Sequence, residues 1–271
     1  MPYTAKDHTF VICAYGESPY LEECIQSLLN QTILGAILIV TSTYCEYIQS
    51  LADKYHLQLQ VNCGEHGIAG DWNFGYRQAQ TSLVTIAHQD DVYEPQYIEQ
   101  LLTVINRSAH PLIAFTDYGE LRDGCRVYHN QLLAIKRFLL FPLRIKILRG
   151  NKMIRRRSLS FGNGICCPSV MYIRDNLPDK LFQAGYRSDL DWQTWEYLSK
   201  MDGDFLYFPK PLLLHRIHND SETSRIIADN RRKSEDLEMF CRFWPPAIAR
   251  ILAKLYGYAE RSNGTNHEKS G

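Results

Sequence analysis

No apolar run in this 271-residue chain approaches the roughly 20 residues needed to cross a bilayer; stretches such as 36–40 have only the length of a buried strand. The amino terminus, MPYTAKDHTF, has neither the apolar region nor the small-residue cleavage site of a secretory signal. No C-x-x-C pair occurs. The 8 cysteines (Cys13, Cys24, Cys45, Cys63, Cys125, Cys166, Cys167, Cys241) are scattered, several in apolar runs where a small thiol packs well, which is the usage of a reduced, cytoplasmic protein. Net charge is missing too. Lys+Arg 30 balance Asp+Glu 30, so binding to nucleic acid or to an anionic surface would need a local patch rather than global charge. What is present, 45% apolar and 22% charged residues without an internal repeat, is a globular composition, long enough for one large domain or two unequal ones.

Residues 9 to 118 alternate short apolar runs with helical periods, the sequence form of β-α-β units around a mostly parallel sheet. Strands are predicted at 9–14, 36–40, 57–61, 83–87 and 112–116. Leu21, Cys24, Ile25, Leu28 and Leu29 have helical spacing behind a Ser18-Pro19 entry, and Thr43 with Glu46 has the spacing of a capping box. A loop, NCGEHGIAG, precedes a helix carrying Trp72, Asn73 and Tyr76, and Pro95 opens another. Beyond 118 the pattern predicts a hairpin at Asp123-Gly124, a basic and apolar segment at 132–157, and a strand at 165–173. A helix at 192–198, strands at 205–208 and 212–217, and two helices split by Pro245-Pro246 complete it. The chain divides into an α/β half (1–118), a second half of the same domain (119–225), carboxy-terminal helices (226–260) and a flexible polar tail (261–271).

Ligands of open α/β sheets bind outside the carboxyl ends of the strands, so polar residues directly after an apolar strand carry the most weight. Asp90 and Asp91 follow LVTIA in this way. Adjacent carboxylates repel unless a cation or ligand compensates, which suits a divalent metal with a polyphosphate; the competing reading is an acidic helix entry ahead of Pro95. Asp189 and Asp191 precede Trp192 and Trp195, where an acidic helix start is again the alternative. LLLHRIH places Arg216 and His218 on one strand face, ahead of Asn219, Asp220, Ser221 and Glu222. The basic segment, with Lys136, Arg137, Arg144, Lys146, Arg149, Lys152, Arg155, Arg156 and Arg157, fits an anionic membrane face, an internal helix pair with a solvated basic side, or a nucleic-acid patch. The last is weakest, because aromatic interleaving is missing.

Three stretches in order, TFVICAYGESPYLEECIQSLLNQT, GIAGDWNFGYRQA and IAHQDDVYEP, resemble the amino-terminal half of family 2 glycosyltransferases of the GT-A fold. That family has a strand ending P-A-Y-N, a helix ending Leu-x-Q-T, an N-x-G-x-x-x-x-R-N-x-G segment and an acidic D-x-D-D motif before a proline. The resemblance implies a Rossmann-like, mostly parallel sheet flanked by helices, with a helical basic insertion and carboxy-terminal helices. It implies a nucleotide-sugar donor whose diphosphate is neutralised by Mn²⁺ or Mg²⁺ on Asp90 and Asp91, with His218 completing the metal shell and Arg216 facing phosphate. His88 stands where the family often has the leading Asp, and Thr41, Ser42 and Thr43 replace its usual Asp-Asp-Gly-Ser loop. Donor contacts are expected from Ala14, Tyr15, Glu17, Thr41, Ser42, Thr43, Gly67, Asp71, Asn73, His88, Asp90, Asp91 and Arg216.

The D-W-x-x-W element implies Asp191 as general base of an inverting transfer, with Asp189 the competitor. The implied activity is hexosyl or deoxyhexosyl transfer to a glycan or lipid-linked acceptor in cell-surface polysaccharide assembly, at the cytoplasmic face, with peripheral contact to anionic membrane and no nucleic acid. The altered T-S-T and H-Q-D-D loops keep a second reading open, a catalytically silent protein of the same fold that binds nucleotide or glycan. A nucleotidyltransferase is disfavoured, since AYGESPY is not a Gly-rich, basic triphosphate loop.

Overall fold

The structure, a computed structural model, describes residues 1–218 and 230–265. β1 (His8–Ala14) is apolar on both faces because it has a parallel neighbour on each side, β2 (Ala36–Thr41) and β4 (Leu83–His88), and helices above and below. β3 (Gln58–Val61) pairs with β2 at the edge and is only partly buried. Alternation along the strands sorts the core into two layers. Phe10 and Ile12 pack with Leu21 and Ile25 of α1 (Leu21–Leu29), Ile48 of α2 (Glu46–Lys54), and Ile98 and Leu101 of α4 (Tyr97–Ile105). Val11, Val40 and Ile86 pack with Tyr76 of α3 (Ile68–Gln78) and with Trp192 and Trp195 of α7 (Leu190–Leu198). A Cβ on Gly75 would lie 2.5 Å from Val11 Cγ1 and 3.1 Å from Val40 Cγ2, so glycine is what lets α3 approach the sheet.

The second half of the chain joins the same sheet. β6 (Pro111–Arg122) turns at Asp123 and Gly124, both at positive φ (47° and 79°), into β7 (Cys125–Val127). β8 (Val170–Ile173) inserts antiparallel between β4 and β6, β9 (Asp204–Ile217) runs parallel to β6, and β5 (Val92–Tyr93) closes that edge. The order is β3-β2-β1-β4-β8-β6-β9-β5, with β7 on β6. α5 (Gln131–Leu140) and α6 (Lys152–Leu159) connect β7 to β8, and α8 (Asn230–Cys241) and α9 (Pro246–Thr265) follow β9. Among the described residues no helix is long and apolar enough to cross a membrane.

Several expectations are corrected here. The strands foreseen at 205–208 and 212–217 are one, and its prolines fall at the register shift opposite Thr116 and Asp117, where missing N–H groups disturb the ladder least. The strand foreseen at 165–173 is reduced to β8, because Pro168 sits in a 3₁₀ turn, Cys167–Ser169. Thr43 does not cap α2; Cys45 takes that position, and the Thr43 hydroxyl accepts the Gly16 N–H at 2.8 Å. α9 continues to Thr265, inside the stretch read as a tail, while 266–271 lie outside the described residues together with Asn219, Asp220, Ser221 and Glu222.

Much of the basic segment turns inward. Arg155 is fully buried over the Phe205 ring and donates to the Met201 carbonyl, Arg137 pairs with Asp117 at 2.7 Å, and Arg156 pairs with the buried Glu196.

Asn73 lies inside α3 and is 2% exposed. Its Oδ1 accepts the N–H groups of Leu181 (3.1 Å) and Phe182 (3.0 Å), and its Nδ2 donates to the Phe182 carbonyl (2.6 Å). The side chain therefore staples the 181–182 loop to α3, buried away from the sheet's carboxyl edge. Asn73→Ala strands three buried backbone groups, and urea denaturation should show a loss of about 3 kcal/mol.

Candidate active site

Parallel pairing sets the carboxyl ends of β1, β2 and β4 level, with Ala14 beside Thr41 and Cys13 beside His88. The loops leaving these strands are therefore neighbours, and side chains tie them together. Gln89 accepts the Tyr15 N–H at 2.9 Å and returns a bond to the Tyr15 carbonyl. Thr41 Oγ1 accepts the Thr43 N–H at 3.0 Å. The Ser42 hydroxyl donates to Asp71 Oδ2 and Asn62 Nδ2 donates to Asp71 Oδ1, both at 2.8 Å, so a carboxylate from α3 stands at the ends of β2 and β3. Gly67, at φ 92°, is the residue before α3 and has open space where a side chain would be. Tyr15 and Glu17 are exposed.

The acidic turn after β4 is the most constrained part. Asp91 is fully buried, and its Oδ1 is held by the Arg216 N–H and by His215 Nδ1, each at 2.9 Å. Its Oδ2 has no hydrogen-bond partner among the described residues and lies 3.8 Å from His88 Nδ1. Asp90 Oδ2 is 3.0 Å from His218 Nε2, and the Arg216 guanidinium donates to the Asp90 carbonyl at 2.8 Å and pairs with Glu23. Ligand atoms of His88, Asp90 and Asp91 all lie within 4.8 Å of one another. Tyr20 backs the group, with its ring 4.8 Å from that of His218 and under the Arg216 guanidinium at 4.4 Å. Trp72 stacks on His88 at 5.2 Å, fixing the imidazole plane.

Charge explains the local protonation. Burial by itself would raise the Asp90 carboxyl, but the His218 hydrogen bond and the charges of His88 and His215 outweigh it and hold it below the usual 3.8. Burial likewise opposes a charged His215, yet Asp91 overrides it and lifts that imidazole to about 9. A buried carboxylate oxygen without a donor is where a cation fits, and two carboxylates with an imidazole form a suitable set for Mn²⁺ or Mg²⁺.

On the other side, Asp191 is half-buried in the first turn of α7. Its Oδ2 accepts from Asn163 Nδ2 and its Oδ1 from the Trp192 N–H, both at 2.7 Å. Burial raises its pKa above 3.8 despite these bonds, and the charges of Lys136 and His88 both reach it. Asp189 is only 4% exposed, in a backbone stretch whose N–H groups, from Arg187 to Asp189, converge on Glu235 of α8. His215, Asn163, Trp72 and Glu23 were not foreseen. His215 adjoins the noted Arg216 and was discoverable from LLLHRIH, whereas the others are brought in by elements distant in sequence.

A mostly parallel sheet with helices on both faces, an acidic turn at its carboxyl edge and a long β6·β9 pair make this a GT-A fold. The family model for glycosyl transferase family 2 matches residues 9–182, and the chain belongs to that family. A Haemophilus influenzae protein described as an uncharacterized glycosyltransferase is 24% identical over 236 residues, 79% of this chain and 66% of that protein. EpsH of Bacillus subtilis is 24% identical over 160 residues, 55% of this chain. The chain thus spans about two thirds of the first relative's length and 46% of the second's. Among solved structures, S. aureus TarS 1-349 in complex with UDP-GlcNAc superposes with a TM-score of 0.57 at 15% identity, covering 91% of this chain and 70% of that one. The mannosyltransferase PcManGT from Pyrobaculum calidifontis, in complex with GDP-Man and Mn²⁺, gives 0.56 at 14% identity, covering 92% and 69%.

If the orphaned Asp91 oxygen is a cation site, Mn²⁺ alone should raise the melting temperature in proportion to the logarithm of its concentration above Kd. Asp90→Asn should remove most of that rise, while the shift produced by an inert salt at equal ionic strength stays small.

Proposed function

We propose that the protein is an inverting, metal-assisted glycosyltransferase that moves a hexosyl or deoxyhexosyl group from a nucleotide-sugar donor to a glycan or lipid-linked acceptor in cell-surface polysaccharide assembly. The observation that carries this is the grouping of His88, Asp90 and Asp91 around the unpartnered Asp91 oxygen at the carboxyl edge, with the raised carboxyl of Asp191 within electrostatic reach. The complexes of TarS with UDP-GlcNAc and of PcManGT with GDP-Man support a nucleotide-sugar donor.

In this reading Asp90 and Asp91, with His88 or His218, would hold Mn²⁺ or Mg²⁺, which supplies positive charge to the departing diphosphate. Thr43 and the 14–17 loop line the donor side, with Ser42 and Asn62 presenting the Asp71 carboxylate there. Arg216 positions the acidic turn, since its guanidinium is turned to the Asp90 carbonyl and Glu23. Asp191 takes the proton of the acceptor hydroxyl as that oxygen attacks the anomeric carbon opposite the leaving diphosphate. Asn163 and the Trp192 N–H hold the carboxylate in place for that transfer. Asp189, buried near α8, plays a structural part.

Single-turnover transfer beside donor affinity tests the reading. Asp191→Asn should keep donor binding and lose about 10²–10⁴-fold in rate, and Asp189→Asn should lose far less. Reversal of that order would move the base to Asp189. Donor binding by the parent without transfer or Mn²⁺-dependent donor hydrolysis would leave the silent, nucleotide-binding reading.

The base acts ionised, and its pKa is raised, so the fraction of active enzyme falls as pH drops through a value above 3.8. A pH–rate profile of transfer should place its acidic limb there, at a higher pH than an unshifted aspartate would give.

A further inference from the structure

From residue 124 to residue 174 the chain contains no Asp or Glu and eleven Lys or Arg. Most of these cations are used internally: Arg126, Arg137, Lys152 and Arg156 in ion pairs, Arg155 by burial, Lys136, Arg149 and Arg174 in hydrogen bonds, and Arg157 over the Trp244 ring. Arg144 and Lys146 are different. Both are exposed, in the 3₁₀ turns Phe141–Arg144 and Lys146–Leu148, and neither has an acidic partner among the described residues. The end of α5 and these turns hold large apolar side chains out in water: Phe138 is 78% exposed, Phe141 53% and Ile147 86%. Scattered exposed apolar residues are ordinary, but three within ten positions, interleaved with two cations that have no acidic partner among the described residues, Arg144 lying over the Phe141 ring, form a patch of one chemistry.

A second stripe adjoins it. α9 packs against α5 and exposes Ile251 (61%) and Leu255 (63%) beside Arg250 and Lys254. One occupant satisfies both components: an anionic lipid bilayer, whose acyl boundary accepts the apolar side chains and whose phosphates meet the cations. A second copy of the chain would bring the same cations face to face. The patch also borders the acceptor side of the site, because Lys136 of α5 bonds to Tyr118 and its charge reaches Asp191.

We propose that the turn at residues 138–147, with the exposed stripe of α9 beside it, is a peripheral docking surface for anionic membrane. Resting on the glycosyltransferase reading, it presents a lipid-linked acceptor to Asp191. The full chain should float with phosphatidylglycerol-containing vesicles but not with pure phosphatidylcholine ones, and release at 1 M salt, where the Debye length shrinks to ~3 Å. Arg144→Gln with Lys146→Gln should weaken binding roughly 25-fold, about five-fold for each cation lost. Phe141→Ser with Ile147→Ser should abolish it, with melting temperature and nucleotide-sugar binding unchanged in both variants. Flotation with neither vesicle, equal flotation with both, or parental binding by both double variants would overturn the proposal. So would a dimer in sedimentation that Phe141→Ser with Ile147→Ser converts to monomer. Nucleotide-sugar binding is measured separately, so a failed flotation with intact donor binding removes the membrane surface and leaves the glycosyltransferase reading standing.

Discussion

A carboxylate with no solvent exposure, Asp91, joins the end of β4 to the end of β9, and the geometry of the acidic turn follows from it. Burying a charge without partners is prohibitive, so the turn must present Oδ1 to the Arg216 N–H and to a His215 that the pairing itself keeps protonated. Once those two bonds are made, residues 215–218 cannot lie elsewhere. His218 reaches Asp90, Arg216 spans from the Asp90 carbonyl to Glu23, and Tyr20 of the first loop fills the space beneath both. The second carboxylate oxygen is buried with no donor among the described residues, which leaves its negative charge uncompensated there.

The antiparallel insertion of β8 has an equally definite consequence. It makes the second half of the chain continue the first half's sheet, so that α7 packs its two tryptophans onto the same layer as α3. Asp191 in the first turn of α7 is thereby carried toward His88, which α3 clamps through Trp72. His88 and Asp191 thus share one hydrophobic layer as their foundation, and Gly75 and Asn73 are the small and polar residues that let that layer close.

The basic segment shows how one composition serves two purposes. Arg155 and Arg156 stabilise the interior by covering Phe205 and neutralising Glu196, whose carboxyl is held below its usual range by Arg156 and Lys200 in spite of burial. Arg156 finds a carboxylate in this way, whereas Arg155 makes one hydrogen bond, to the Met201 carbonyl, and leans on the Phe205 ring. Arg144 and Lys146 stay at the surface with Phe141 and Ile147, while Leu143 of the same stretch turns into the core.

Strand and helix positions in residues 8–116 were legible in the sequence because apolar period and burial coincide there: a strand covered on both faces reads as a continuous apolar run, and the helices keep one apolar stripe each. Asp90 and Asp91 were legible for the same reason, being polar residues set directly against such a run. Asn73, Thr43 and the basic segment were not, since what each side chain does depends on a partner up to about a hundred residues away: Phe182 for Asn73, Gly16 for Thr43, Glu196 for Arg156. Local pattern determined the strands, their helices and the acidic turn at the sheet's edge. Only the tertiary structure decided which polar groups point into that edge and which are consumed in holding it together, because a hydrogen bond is short and directional and its partner is chosen by the fold, not by neighbours in the chain.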